Sequence, residues 1–204
     1  MNKWFFTTTG VAPIHSEPSF LSECLTELVH GENSLITDEF KNWLSITTGD
    51  GYRGYVNKFY GNIISKKIVH NLCISAPDPN GSFSNQYPFG SKVKNKITGA
   101  SKIRDDFDKN LVIPIAKKLI GTPYKWGGKS SLGFDCSGLV QSVLEVCGLV
   151  VPRDSRLQLK YLKNKKISMQ ESKPGDLHFF GKGDITTHVG FSLGGTRILH
   201  AQGY

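Results

Sequence analysis

Short apolar runs separated by turn residues fill the first third of the chain. They are Gly10-Val11-Ala12-Pro13, Leu25 to Val29, Ser34 to Thr37, Trp43 to Thr47 and Tyr52 to Val56. Gly31-Glu32-Asn33, Thr48-Gly49-Asp50-Gly51 and Gly61-Asn62 punctuate them. Asp50-Gly51 between two alternating runs is a hairpin signal, because both residues tolerate the positive φ of such turns. Strands of this length and spacing predict a small barrel or sandwich over residues 1–63. Residues 64–104 are less regular. Lys66 to Ser75 and Ser91 to Thr98 alternate enough for strands, and Pro77 to Gly90 between them has the Pro, Asn, Ser and Gly content of a loop.

From residue 105 the period changes. A helix is expected to begin around Asp105 to Asp108, with Ile113, Ala116, Lys117 and Ile120 on one face. Pro114 fits only in its first turn. Gly121-Thr122-Pro123 ends it. Cys136, Leu139, Val140, Val143, Leu144 and Cys147 stand at helical spacing, so a second helix buries that face and stops at Gly148. Asp154 or Ser155 can cap a third, reaching about Lys163. Strands follow at Asp176 to Phe180, His188 to Leu193 and Arg197 to His200. Helices followed by a run of strands make residues 105–204 an α+β unit.

Composition narrows the partners. The 204 residues suffice for one large or two modest domains. A net charge of +8 and a pI near 9.3 favour acidic ones. The lysines are scattered, with short clusters at Lys66-Lys67, Lys117-Lys118 and Lys163 to Lys166, and no basic helix face forms. That pattern argues against a nucleic-acid partner. The four cysteines form no C-x-x-C pair, so neither a zinc site nor a thioredoxin-type motif is expected. Cys24, Cys73 and Cys147 read as reduced, buried side chains. The N-terminus MNKWFFTTTGVAP lacks the apolar core of a signal peptide, and no stretch approaches the roughly 20 apolar residues of a membrane span. A cytoplasmic location is expected on that basis, or a periplasmic or secreted one if a leader has been removed. Oligomeric state is left open.

The candidate chemistry centres on Cys136. A thiol at a helix N-terminus meets unpaired N–H groups and the positive end of the helix dipole, which favour the thiolate nucleophile. Such a thiolate needs a base and a group that orients the base. His188 and His200 lie on neighbouring strands. A two-residue turn at Gly194-Gly195 would put them on opposite faces. A three-residue turn, Gly194-Gly195-Thr196, pairs His200 with Gly190 and sets the histidines diagonally on one face, about 7–8 Å apart at the backbone. The three-residue turn is the expected one.

Five short motifs follow in order: Tyr124-Lys125-Trp126-Gly127-Gly128, Asp135-Cys136-Ser137-Gly138, Arg153-Asp154-Ser155, Pro174 to Leu177, and His188-Val189-Gly190. Together they resemble the NlpC/p60 family of papain-like cysteine peptidases. The resemblance implies that Cys136 is the nucleophile, His188 the base, His200 the orienting group, and Tyr124 a donor to the oxyanion. It implies no metal or organic cofactor. The stretch from Val11 to Val56, with its E-P-S and D-G-Y segments, resembles the bacterial SH3-like domain that precedes some of these peptidases. Residues 64–104 would then be a linker or a degenerate second SH3-like unit. Relatives of this kind cleave the bond between γ-D-glutamate and a diamino acid in peptidoglycan stem peptides bearing a free N-terminal L-alanine. The resemblance assigns Asp154, Ser155, Glu17 and Tyr52 to the amine end of such a muropeptide, and Asp135 and Ser137 to its glutamyl part. Two departures stand out. His178 occupies a usually hydrophobic place in P-G-D-L-x-F and has no catalytic use. Tyr204 comes four residues after His200, where relatives continue into another strand. The competing expectations are a non-catalytic wall-binding protein and an amidase or acyltransferase on the same fold.

Overall fold

A computed structural model describes residues 2–182 and 185–203. Tyr204 therefore lies outside the described residues. The first seven strands are β1 (Trp4–Thr7), β2 (Val11–His15), β3 (Cys24–Val29), β4 (Asn33–Phe40), β5 (Trp43–Thr47), β6 (Arg53–Asn57) and β7 (Gly61–Ile64). They form one antiparallel sheet in the order β3-β2-β6-β5-β4-β1-β7. All five expected runs are strands, and β5 and β6 pair around the Asp50-Gly51 turn, where Gly51 has φ 84°. β1 and β7 were not foreseen. Trp4-Phe5-Phe6 looks like an apolar cluster, and its strand character comes from pairing with β4 and β7. The sheet curls over a core of Phe5, Ala12, Ile14, Leu28, Leu44, Ile46 and Val56. Its edges, β3 and β7, do not pair with each other, so no hydrogen-bonded barrel closes among the described residues.

The middle segment contributes β8 (Leu72–Ile74), β9 (Lys92–Val93) and β10 (Ala100–Lys102), in the order β10-β8-β9. These strands are shorter than the alternation suggested, and Ala100–Lys102 was unforeseen. The segment sends Cys73 and Phe89 into the second core. That core belongs to α1 (Val112–Lys117), the short strands β11 (Lys129–Ser130) and β12 (Gly133–Phe134), α2 (Cys136–Val146), α3 (Ser155–Tyr161), and the sheet of β13 (Leu177–Lys182), β14 (Ile185–Ser192) and β15 (Ile198–Leu199).

The first helix departs from expectation. It starts only at Val112, and its buried face is Val112, Ile115, Ala116 and Leu119, while Ile120 is 71% exposed. Both sets of residues have helical spacing, and packing against α2 selects the second. α2 is the central element. Residues 137 to 144 are all buried, so it is enclosed on every side, not on one face. Val189 and Phe191 of β14 complete this core at 0% exposure. The architecture is mixed α and β, with few helices and many strands.

Candidate active site

α2 begins at Cys136 because Asp135 caps it, with Oδ1 accepting from the Gly138 N–H at 2.7 Å. Gly138 is required there: an added Cβ would lie 2.1 Å from the Gly128 carbonyl oxygen. The preceding loop is folded back onto the helix start by Lys125 N–H to Phe134 O (3.0 Å) and Asp135 N–H to Gly128 O (3.1 Å). The Cys136 thiol is half-buried at the head of the helix. Burial pushes it above its ordinary pKa, against the pull of the Val189 and Ser137 backbone amides. The expected resting thiolate is therefore not favoured, because desolvation outweighs the amides.

His188 lies within β14 and His200 just beyond β15. Phe191 pairs with Leu199 and Ser192 with Ile198, a register that puts Gly190 opposite His200. The Leu193 N–H donates to Arg197 O at 2.9 Å, closing the three-residue turn Gly194-Gly195-Thr196. The two imidazoles share one face and meet directly, His188 Nε2 to His200 Nδ1 at 2.9 Å. Gly190 makes the room, since a Cβ there would stand 2.9 Å from His200 Cβ. Burial, and then His200, hold His188 below its ordinary value of 6.5. Cys136 is tied to this strand through Val189, the residue after His188.

Tyr124 is 38% exposed and bridges to Phe134 at the foot of the loop. Burial, then Asp135 and Cys136, push its phenol up.

Asp135 and Ser137 face inward. The Asp135 carboxylate receives Gly138 N–H, Gly127 N–H, the Ser137 hydroxyl and both terminal nitrogens of Arg153. Five donors thus hold the carboxylate in place. Ser137 Oγ also accepts from Arg153 at 2.9 Å. These hydrogen bonds make both residues supports of the nucleophile's loop. Arg153, only 2% exposed, belongs to the Arg153-Asp154-Ser155 motif, which gave it no role of its own. Its Nε reaches Thr26 of β3 at 2.8 Å, so one guanidinium joins the N-terminal sheet to the cap of α2.

Asp154 holds the N-cap position of α3 but makes no capping bond. Its carboxylate oxygens instead accept from the Tyr52 hydroxyl, each at 3.4 Å. Burial pushes Asp154 up, while burial and this carboxylate push Tyr52 up to about 12. Ser155, the next residue, is half-buried. Glu17 is exposed on the β2–β3 turn, where Ser22 Oγ accepts from its backbone N–H at 3.3 Å, and its carboxylate joins no hydrogen bond among the described residues. Glu23 at the end of that turn does. It accepts from Trp126 Nε1 at 3.0 Å and adds negative charge beside Tyr52. Its signal was weak, because Glu17 sits in the more recognisable E-P-S segment. Among the described residues no group of three or more His, Cys, Asp or Glu side chains is arranged to hold a metal ion.

A cysteine-led helix laid on an antiparallel sheet that carries paired histidines defines the class of domain. The NlpC/P60 family profile matches residues 121–204, so this segment is an NlpC/P60 family domain. The chain is 28% identical to a gamma-D-glutamyl-L-lysine dipeptidyl-peptidase of Bacillus subtilis, over 86% of this chain and 71% of the relative. It is 32% identical to a bifunctional muramidase/DL-endopeptidase of the same organism, over 76% of this chain and 49% of that one. The crystal structure of an NlpC/P60 family protein from Bacillus cereus superposes with a TM-score of 0.71, covering 97% of this chain and 90% of its own at 16% identity, a likeness of fold.

Proposed function

We propose that this protein is a cysteine peptidase that hydrolyses the γ-D-glutamyl–L-diamino acid bond of peptidoglycan stem peptides with a free N-terminal L-alanine, as in the recycling of wall fragments. The observation that carries the reading is the His188–His200 bond at 2.9 Å on the strand that also meets Cys136. Since His200 occupies His188 Nε2, Nδ1 is left for the thiol. For Nδ1 to accept a proton, Nε2 carries hydrogen and donates to His200 Nδ1. Cys136 Sγ then attacks the amide carbon as its proton passes to His188, which returns it to the leaving amine. Water hydrolyses the thioester with His188 again as base. The Cys136 N–H, in the first turn where no intrahelical acceptor exists, and the Tyr124 hydroxyl hold the oxyanion.

Residues 1–63, read as an SH3-like domain, close one end of the cleft. Asp154, Tyr52 and Glu23 surround the place where a substrate ammonium would sit, and Ser155 meets the neighbouring backbone. A half-buried carboxylate held only by two long bonds from a phenol gains most from a cation. Glu17 stays at the rim in this reading.

The test is incubation of L-Ala-γ-D-Glu-meso-diaminopimelate and its L-lysine counterpart, free and N-acetylated, with mass-spectrometric detection. Release of L-Ala-D-Glu from the free peptides alone, absent in Cys136→Ala and strongly reduced in Asp154→Asn, is expected. Equal cleavage of acetylated peptide would remove the amine role. No cleavage of any, with a folded protein retained on insoluble wall, would replace the peptidase by a binding module.

A further inference from the structure

His178 has no part in the peptidase chemistry, yet it lines a cavity away from Cys136. This cavity, about 790 Å³, lies between β13, the C-terminal end of α2, and the segment after α3. Its size falls within the roughly 300–1,000 Å³ of small-molecule sites. Leu144, Leu149, Leu162 and Phe179 are among its walls, and Ile167 and Met169 at its border are 51% and 57% exposed. Lys163, Lys165 and Lys166 stand at the same border, and none has an acidic partner among the described residues. Among the described residues the one carboxylate lining it, Asp176, is already paired with Lys109 at 2.5 Å. Inside, His178 Nε2 meets Ser172 Oγ at 2.7 Å, while its Nδ1 is buried with no partner.

We infer that this cavity binds a free amphiphile with one apolar chain and a carboxylate head, such as a medium-chain fatty acid. The apolar walls take the chain. The three lysines draw in the anion. A neutral chain would leave the lysines unused, and a cationic one would be repelled. This site is distinct from Cys136 and stands whether or not the peptidase reading does.

The probe is dodecanoate, titrated calorimetrically into the full chain below its micelle concentration. Saturable one-to-one binding is expected, tightening by roughly fourfold for each methylene added from octanoate upward. The triple variant Lys163→Gln/Lys165→Gln/Lys166→Gln, whose changes are on exposed side chains, should keep its melting temperature and bind at least tenfold more weakly. Leu162→Trp should block the cavity outright, and if it fails to fold the lysine variant still decides. No saturable binding, equal affinity for dodecyltrimethylammonium, or an unaffected lysine variant would each overturn the inference. So would binding to vesicles of anionic phospholipid without binding to monomeric dodecanoate, which would mark a membrane-facing surface instead.

Discussion

At the scale of single residues, the resting site is neutral on both sides of the proton transfer. Burial raises Cys136 and lowers His188, so the pair starts as thiol and imidazole, and substrate arrival must bring them into play. A lowered histidine pKa keeps the base deprotonated to lower pH. The acid limb of kcat/KM is therefore expected to have its midpoint below 6.5. His200→Ala removes one of the two influences that hold His188 down, and the limb should move upward while the rate falls by ~10²-fold or more. His200→Asn should restore much of the rate, because it too can accept from Nε2 of His188. A limb that stays fixed and a rate insensitive to both changes would remove His200 from its orienting role. Cys136 and His188 were legible in the sequence because short motifs carry them, and His200 because strand parity sets it beside His188. The role of Arg153 and the place of Glu23 were not. Their partners, Thr26 and Trp126, lie 127 and 103 residues away, and no local pattern announces such contacts.

At the scale of elements, the hairpin that brings the histidines together was readable from parity alone. Side chains alternate along a strand, so turn length decides whether His188 and His200 share a face. The choice of face for α1 failed under the same kind of counting, because two residue sets there have equal periodicity. Gly190 tests the hairpin's function. Gly190→Ala puts a methyl 2.9 Å from His200 Cβ, tighter than real contacts allow, and the imidazole must shift. Although Gly190 is buried on the central strand, the residue that must give way, His200, is half-buried just beyond the edge strand β15, so the expected loss is mainly catalytic. kcat should fall ~10-fold or more with KM little changed, and melting should move by only a few degrees. A large drop in melting temperature with unaltered kcat would show that the close approach serves packing alone.

At the scale of the whole molecule, the two cores meet across a seam built from ion pairs. Glu27, fully buried on β3, takes Lys125 and the Lys129 N–H (3.2 Å). Lys129 reaches Glu32 at 3.1 Å, and Lys92 of β9 reaches Glu145 of α2 at 2.7 Å. Gln141 of α2 donates to Asp50 of the β5–β6 turn at 2.7 Å. None of these pairs was visible in a net charge of +8, which records only the sum. The seam also positions Tyr52 against Asp154 and Glu23 against Trp126, so stability and the proposed amine site share one support. Glu145 carries the pH signature. Burial alone would raise it, but Lys92 and Lys129 outweigh burial and hold it at about 2 against an ordinary 4.5. A depressed carboxylate contributes stability that is complete above pH 4.5 and disappears as pH falls toward 2. Glu145→Gln leaves Lys92 and Lys129 buried without their shared anion, and should cost about 3 kcal/mol at pH 7. It should also flatten the loss of stability between pH 4.5 and 2, because the titrating group has gone. Denaturant unfolding across that range separates the outcomes: equal slopes in both proteins would mean the seam's charge pairs do not titrate with folding. If the seam loosens locally before the whole chain unfolds, Glu145→Gln should raise KM for the free-amine peptide more than it lowers kcat. The nucleophile's loop is held separately by Asp135 and Arg153, so its chemistry outlasts the loss of this pair.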